Sequence, residues 1–208
     1  MTAKLVIMRH GESTWNKENR FTGFKDVPLS DKGEEEAIAG GEKMEAAGFI
    51  DEDGENIFGG IFTSTLERAI YTTELALNIR REHFIQNQDL RERDYGDLTG
   101  LNKAETAKQY GDEQVHIWRR SYDVSPPNGE SLKDVVNRVR PYFDKKIKPL
   151  LLEGKNVFVG AHGNTLRAML IILKVRTPEN INASEIPTGA PLVLEVDDQG
   201  NVTKEYYL

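Results

Sequence analysis

Two short apolar runs, each followed by a His-Gly pair, constrain the fold of this chain more than any other feature of its sequence. Leu5 to Met8 precedes Arg9-His10-Gly11, and the apolar segment Asn156 to Ala161 precedes His162-Gly163. Continuous apolar runs of this length are typical of strands that are buried in a parallel sheet. If the two strands are neighbours, both imidazoles lie at the edge where open α/β sheets bind ligands.

Helical periodicity between the apolar runs predicts the remaining architecture. Ser30 is a predicted N-cap, and Ser64 with Glu67 has the pattern of a capping box before the next helix. Further helices are predicted at 103–109, 112–120, 132–143 and 166–173, further strands at 60–63 and 192–194, and irregular chain at 174–190. We therefore predict one α/β domain over residues 1–208. It is a three-layer sandwich with a mainly parallel central sheet and helices on both faces.

Composition excludes several classes of function. The formal net charge of −7 argues against a general binder of nucleic acids or anionic membranes, because phosphate backbones select basic surfaces. The chain has no cysteine, so disulfides, cysteine nucleophiles and thiolate zinc sites are excluded. The apolar run at Leu5 to Met8 is too short for a signal peptide or a membrane span. A cytoplasmic location is expected.

The shared sequence context of His10 and His162 favours catalysis over a structural role. A single histidine at the end of a strand is more commonly structural, but here two of four histidines have the same context. His83 and His116 lack it, and no pair of histidines has the close spacing of a metal motif. Neutral imidazole is a good nucleophile near its ordinary pKa.

Arginines near these positions point to phosphoryl transfer, which needs cations on the equatorial oxygens of the transferred group. Arg9 precedes His10, and Arg68 lies near the start of a predicted helix, where free backbone N–H groups also attract phosphate. Taken alone, Arg68 also fits a residue on the solvent-exposed face of a helix that binds no phosphate. The chain contains no P-loop, no GxGxxG after its first strand and no GxSxG motif.

Six strings spread over nearly the whole chain carry a resemblance to one known family. They are RHGESTWN at 9–16, FTG at 21–23, ERDYGDLTGLNK at 92–103, WRR at 118–120, AHGNTLRA at 161–168 and PTGAPL at 187–192. Together they resemble the 2,3-bisphosphoglycerate-dependent phosphoglycerate mutases of the histidine phosphatase superfamily, which implies a phosphoglycerate mutase-like fold. Two features depart from the family pattern. Position 91 is Arg where the pattern has Asn, and the segment Asp51 to Asn56 resembles an insertion.

The resemblance implies a role for each matching residue. His10 would be the nucleophile that carries a phosphoryl group, His162 would stabilise charge on it, and Glu92 would be the general acid/base for the substrate hydroxyl. Arg9, Asn16 and Arg68 would surround the transferring phosphate. Arg9 and Arg68 would be catalytic residues, together with His10, His162 and Glu92. The other implied substrate-binding residues are Ser13, Thr22, Gly23, Arg93, Tyr95, Lys103, Arg119, Arg120, Gly163 and Asn164.

A substrate with anionic groups at both ends needs two cationic poles in one pocket. Arg9 and Arg68 can form one pole, and Lys103, Arg119 and Arg120 the other, although Arg119 and Arg120 also fit a basic helix face. The implied reaction interconverts 3-phosphoglycerate and 2-phosphoglycerate in glycolysis and gluconeogenesis. It is primed by 2,3-bisphosphoglycerate, uses no metal, and occurs in a homodimer or homotetramer.

Two other functions remain open at this level. The first is a phosphohistidine-based phosphatase of a small phosphorylated metabolite, for which the second cationic pole has no evident use. The second is a non-catalytic scaffold. The presence of His10, Arg68, Glu92 and His162 argues against it.

Overall fold

A six-stranded sheet forms the centre of the computed structural model, which describes residues 2–51 and 53–208. Its order is β3-β2-β4-β1-β5-β6. The first four strands pair in parallel, β5 pairs antiparallel with β1, and β6 pairs antiparallel with β5. The strands are β1 (Ala3–Arg9), β2 (Phe58–Thr63), β3 (Ile85–Gln86), β4 (Asn156–Ala161), β5 (Pro191–Val196) and β6 (Val202–Tyr207).

Helices cover both faces of this sheet. They are α1 (Thr14–Lys17), α2 (Asp31–Ala46), α3 (Glu67–Leu77), α4 (Lys103–Tyr110), α5 (Asp112–Arg120), α6 (Leu132–Tyr142), α7 (Lys148–Leu152) and α8 (Gly163–Ile172). A π-helical segment, Phe143–Ile147, joins α6 to α7, and short 3₁₀ turns occur at Arg81–His83, Gln88–Leu90, Gly96–Leu98 and Ile181–Ala183. No helix in the described ranges is long and apolar enough to cross a membrane.

Successive apolar residues of β1 pack into two different cores, one on each face of the sheet. Leu5 and Ile7 belong to the core cluster that contains the apolar residues of α6 and α8. Val6 and Met8 belong to a second cluster with the apolar residues of α2 and α3. A continuous apolar run is required because successive side chains of a strand point to opposite faces. The predicted fold, a mainly parallel sheet with helices on both faces, is confirmed.

The register of β1 against β4 brings the two His-Gly pairs together. Arg9 pairs with Ala161 in parallel register, so His10 and His162 are the next residues of neighbouring strands. The backbone N–H of His10 continues the ladder by donating to the carbonyl of Ala161 at 3.0 Å.

The structure departs from the sequence predictions at several elements. The capping box at Ser64 and Glu67 is wrong: α3 begins after Leu66, which has no side-chain cap, and Ser64 makes other contacts. Strands β3 and β6 were not predicted, and the helix predicted to start at Leu166 begins at Gly163. In the acidic segment 51–56, Glu52 lies outside the described residues.

A close backbone contact between the His10 loop and the start of α2 leads to a stability prediction. A Cβ on Gly33 would lie 2.0 Å from the carbonyl oxygen of Glu12. In an open helix, Gly→Ala stabilises by about 1 kcal/mol. Here we expect Gly33→Ala to lower the free energy of unfolding by about 1–3 kcal/mol, because the helix must move away from the loop. Urea denaturation, with Glu35→Ala on the exposed face of α2 as control, measures this; a stabilised variant would contradict it.

Candidate active site

His10 is buried at the C-terminal end of β1 in the tautomer that a nucleophile needs. Its Nδ1 lies 2.6 Å from the carbonyl oxygen of Gly11. A carbonyl only accepts, so Nδ1 carries the proton and donates, and the lone pair is on Nε2. Burial, followed by the charges of Arg68 and Arg9, holds the pKa of His10 well below its usual 6.5. The imidazole is therefore neutral at physiological pH.

His162 faces His10 from the neighbouring strand, with ring centroids 5.1 Å apart. Its Nε2 lies 2.7 Å from the hydroxyl oxygen of Ser64, which also accepts the backbone N–H of Leu66. The other ring nitrogen of His162, Nδ1, is buried with no partner among the described residues. Burial and the charge of Arg68 lower the pKa of His162 well below 6.5. The site thus holds two neutral imidazoles.

Two arginines beside the imidazoles are fixed by backbone carbonyls rather than by carboxylates. The Arg68 guanidinium is 1% exposed and donates to the carbonyls of Lys25 and Gly23 at 2.9 and 2.8 Å. Arg9 donates to the carbonyl of Ile186 at 3.0 Å. In the described part of the chain, the Nε–H of each arginine is buried without an acceptor. Burial lowers the pKa of Arg68 to about 10, so it stays charged at neutral pH.

Glu92 is held by backbone N–H groups in the same cleft. Its Oε1 accepts from the N–H of Arg93 at 2.8 Å and from that of Asn164 at 3.2 Å. The Asn164 side chain in turn donates to the Tyr95 hydroxyl at 3.4 Å. These contacts fix one carboxylate oxygen and tie Glu92 to the first turn of α8, next to His162.

The far end of the cleft is formed by α4 and α5 and is strongly basic. Burial, followed by the charge of Arg119, lowers the pKa of Lys103 to about 8. Burial also lowers the pKa of Arg119. The cleft is partly open to solvent and lined mainly by polar and charged side chains, which suits a small charged ligand. It is lined by Arg9, His10, Asn16, Arg20, Phe21, Thr22, Gly23, Arg68, Glu92, Tyr95, Lys103, Arg119, Arg120, Gly163, Asn164 and Arg167.

Three residues named from the sequence do not line this cleft directly. His162 lies beneath it, in contact with His10. The Ser13 hydroxyl caps α1 by accepting the N–H of Asn16 at 3.1 Å. The Arg93 side chain is buried, donates to the carbonyl of Trp118 and lies over the ring of Tyr95. Ser13 and Arg93 therefore support the walls rather than point into the space.

Sequence reasoning missed three residues that do line the cleft: Arg20, Phe21 and Arg167. Arg20 is engaged elsewhere, by the carbonyl of Gly100 and the carboxylate of Glu18. Arg167 stands in the string that carried the resemblance, and its spacing from His162 on a helix was the available signal. Arg91, the departure from the family pattern, packs over the ring of Phe24 at 4.1 Å and is not in the lining.

Comparison with known proteins agrees with this geometry. Residues 5–208 match the family model described as histidine phosphatase superfamily (branch 1). The 2,3-bisphosphoglycerate-dependent phosphoglycerate mutase of Streptococcus pyogenes serotype M5 (strain Manfredo) is 47% identical over 233 aligned residues, which cover 99% of this chain and 98% of that protein.

Solved structures show the same fold at lower identity. Bacillus stearothermophilus YhfR is 28% identical, with a TM-score of 0.77 and coverage of 96% of this chain and 94% of that one. The mycobacterial glucosyl-3-phosphoglycerate phosphatase in complex with VO3 is 26% identical, with a TM-score of 0.76 and 92% of each chain covered. This chain belongs to branch 1 of the histidine phosphatase superfamily and, within it, to the family of 2,3-bisphosphoglycerate-dependent phosphoglycerate mutases.

Proposed function

We propose that this protein is an isomerase that interconverts 3-phosphoglycerate and 2-phosphoglycerate through a phosphohistidine on His10. The observation that carries the proposal is the presence of two cationic ends in one small cleft. Arg9 and Arg68 lie beside the imidazoles, and Lys103 and Arg119 lie at the other end. A substrate that carries a phosphate and a carboxylate on three carbons matches this arrangement. The step belongs to glycolysis and gluconeogenesis.

A phosphatase of a small metabolite is not favoured. The mycobacterial glucosyl-3-phosphoglycerate phosphatase is 26% identical, whereas the Streptococcus pyogenes mutase is 47% identical over nearly the full chain. A simple phosphatase also has no need of the second basic end.

The neutral Nε2 of His10 is the proposed nucleophile. Its lone pair forms an N–P bond as the ester P–O bond of the donor breaks, and the departing oxygen takes a proton from Glu92. Arg68, Arg9 and the His162 imidazole stabilise the charge on the equatorial oxygens, because hydrogen bonds fix all three in place before the reaction. In the reverse step Glu92 accepts the proton of the substrate hydroxyl.

The same residues fit 2,3-bisphosphoglycerate as the primer. Bound in the cleft, it would supply the first phosphoryl group to His10. The buried Nε–H groups of Arg9 and Arg68, which have no acceptor among the residues described, suit its transferring phosphate. Lys103, Arg119 and Arg120 suit the other anionic groups. No residue role proposed here requires a metal ion.

We also propose that residues 1–208 act as one domain, in the cytoplasm where this metabolic step takes place. Support for the single domain comes from two apolar clusters that pack against opposite faces of one sheet. The proposed partners are the phosphoglycerates themselves.

An enolase-coupled assay tests the proposed function. The purified protein is supplied with 3-phosphoglycerate in EDTA, with and without catalytic 2,3-bisphosphoglycerate. We expect turnover that depends on the primer and is unaffected by EDTA. Absence of turnover by a folded protein would contradict the mutase proposal, and inhibition by EDTA would contradict the metal-free mechanism.

The lowered pKa of Lys103 gives a pH dependence for substrate binding. Because burial sets this pKa at about 8, the free enzyme has an ammonium at that position below pH 8 and a neutral amine above it. Only the ammonium attracts an anion, so we expect the KM for 3-phosphoglycerate to rise as the pH increases from 7 to 9.5. Lys103→Arg should remove this rise, because a guanidinium stays charged throughout. A KM that is flat to pH 9.5 in the unaltered enzyme would contradict the role of Lys103.

A further inference from the structure

Arg167 lines the reaction cleft with most of its hydrogen-bonding capacity unused. It projects from α8, five residues after His162. Of its five N–H donors, Nη2 donates to the carbonyl of Ser184 at 3.3 Å, and Nε is buried with no acceptor in the described part of the chain. No carboxylate among the described residues lies within salt-bridge distance of it. A buried N–H donor in this state is costly unless an anion completes its contacts.

The charges around Arg167 are mainly positive. A Cβ built on Gly163 would stand 3.3 Å from Nη1 of Arg167 and 3.6 Å from Nε of Arg9, so both guanidiniums border the same point above Gly163. Burial and then the charge of Arg120 lower the pKa of Arg167, while Glu92 opposes this. Arg167 therefore lies beside Arg9 above Gly163, in the same cleft that Arg120 lines.

Residues 184–186 form the wall behind Arg167 and hold its side chain toward the cleft. The carbonyl of Ser184 accepts from Arg167, that of Glu185 from the Tyr207 hydroxyl, and that of Ile186 from Arg9. The Ser184 hydroxyl is itself fixed by Nε of Arg176 at 2.8 Å. Arg9 and Arg167 are thus anchored to the same segment, residues 184–186.

The chemistry of the proposed substrate says which anion belongs at this place. The reacting hydroxyl of 3-phosphoglycerate is on C2, next to Glu92 and the phosphohistidine, and its phosphate extends to the far pole. The carboxylate is bonded directly to C2, so it must lie near Glu92 and between the two poles. Arg167 borders that region, because its Nη1 lies next to Gly163 and the N–H of the following residue, Asn164, donates to Glu92.

We propose that Arg167 is a substrate-binding residue that holds the carboxylate of the glycerate, together with Arg120, and so selects phosphoglycerates over phosphate esters that lack a carboxylate. This inference rests on the proposed function and deepens it. A guanidinium suits the task because its planar fork binds a carboxylate in a bidentate manner.

The test compares a ligand that has the carboxylate with one that lacks it. We expect Arg167→Gln to raise the KM for 3-phosphoglycerate at least tenfold. The inhibition constant of glycerol 3-phosphate, whose C1 carries a neutral alcohol, should change less than twofold. Arg140→Gln, on the exposed face of α6, is the matched control and should leave both constants unchanged. Equal weakening of both ligands would show a purely structural role, and no change in either would show no role. Both results overturn the proposal.

Two further measurements keep the test decisive. If Arg167→Gln does not fold, Arg167→Lys keeps the charge without the fork, and we expect a smaller but still ligand-selective rise in KM. If the unaltered protein shows no mutase turnover, the proposed function fails separately. The shift in melting temperature caused by 3-phosphoglycerate or by glycerol 3-phosphate then reports on Arg167 alone. An equal loss of both shifts in Arg167→Gln would overturn the carboxylate assignment.

Discussion

His10→Ala should abolish the formation of acid-labile, base-stable phosphate on the protein and lower kcat by about 10⁴-fold or more, as loss of a covalent nucleophile commonly does. The neutral Nε2 of His10 is the proposed site of the N–P bond, and its orientation depends on the hydrogen bond from Nδ1 to Gly11. His162 cannot replace it, because its Nε2 is engaged by Ser64. The measurement is incorporation of labelled phosphate from 2,3-bisphosphoglycerate, followed by the enolase-coupled rate.

His83→Ala is the matched control for this experiment. His83 is exposed on a 3₁₀ turn at Arg81–His83, and it is not in the lining of the cleft. The variant should retain both the label and the rate. Labelling that survives in His10→Ala, at unchanged stability, would show that another residue carries the phosphoryl group.

The sequence was most informative where one strand register decides the geometry. An apolar run that ends in His-Gly predicts a buried strand, and two such runs predict neighbouring histidines if the strands pair in parallel. The structure has this pairing, with Arg9 opposite Ala161. Because side-chain position at the end of a strand follows directly from the register, this part of the candidate site needed no knowledge of loops.

Contacts between elements distant in sequence were not predictable in the same way. Ser64 has the local pattern of a helix cap, yet its hydroxyl bonds His162, 98 residues away. A local pattern cannot reveal that a tertiary partner competes for the same hydroxyl. Arg93 is a similar case: the resemblance implied that it binds substrate, but its side chain donates to the carbonyl of Trp118.

The net charge illustrates a second limit of composition. A charge of −7 is an unfavourable average for a protein that binds anions, but seven of the sixteen residues that line the cleft are Arg or Lys. The field that a ligand meets depends on this local set and on the low polarizability of the walls around it. Composition therefore excludes a polyanion spread over the surface and leaves a small anion in the cleft fully compatible.

Glu92→Gln should distinguish phosphorylation of His10 from transfer of the phosphoryl group to the substrate hydroxyl. Gln keeps an oxygen that can accept from the N–H groups of Arg93 and Asn164, so we expect the fold and the cleft to be retained. It cannot take or give the proton of the substrate hydroxyl, so kcat should fall by about 10²–10⁴-fold, the usual contribution of a general acid–base group. The phosphohistidine should still form, slowly, and should persist after the primer is removed. The measurement is a time course of label on the protein beside the coupled rate.

Glu130→Gln provides the control for this change, because Glu130 is a half-buried carboxylate that pairs with Arg138 outside the cleft. It should cost stability while leaving kcat near that of the unaltered enzyme. A Glu92→Gln enzyme that turns over at the normal rate would remove Glu92 from proton transfer. One that binds no label even after long incubation would show instead that Glu92 is needed to build the phosphate site. A pulse-chase with unlabelled 3-phosphoglycerate then measures the remaining transfer rate directly, and slow loss of label to the substrate is the result that the assigned role requires.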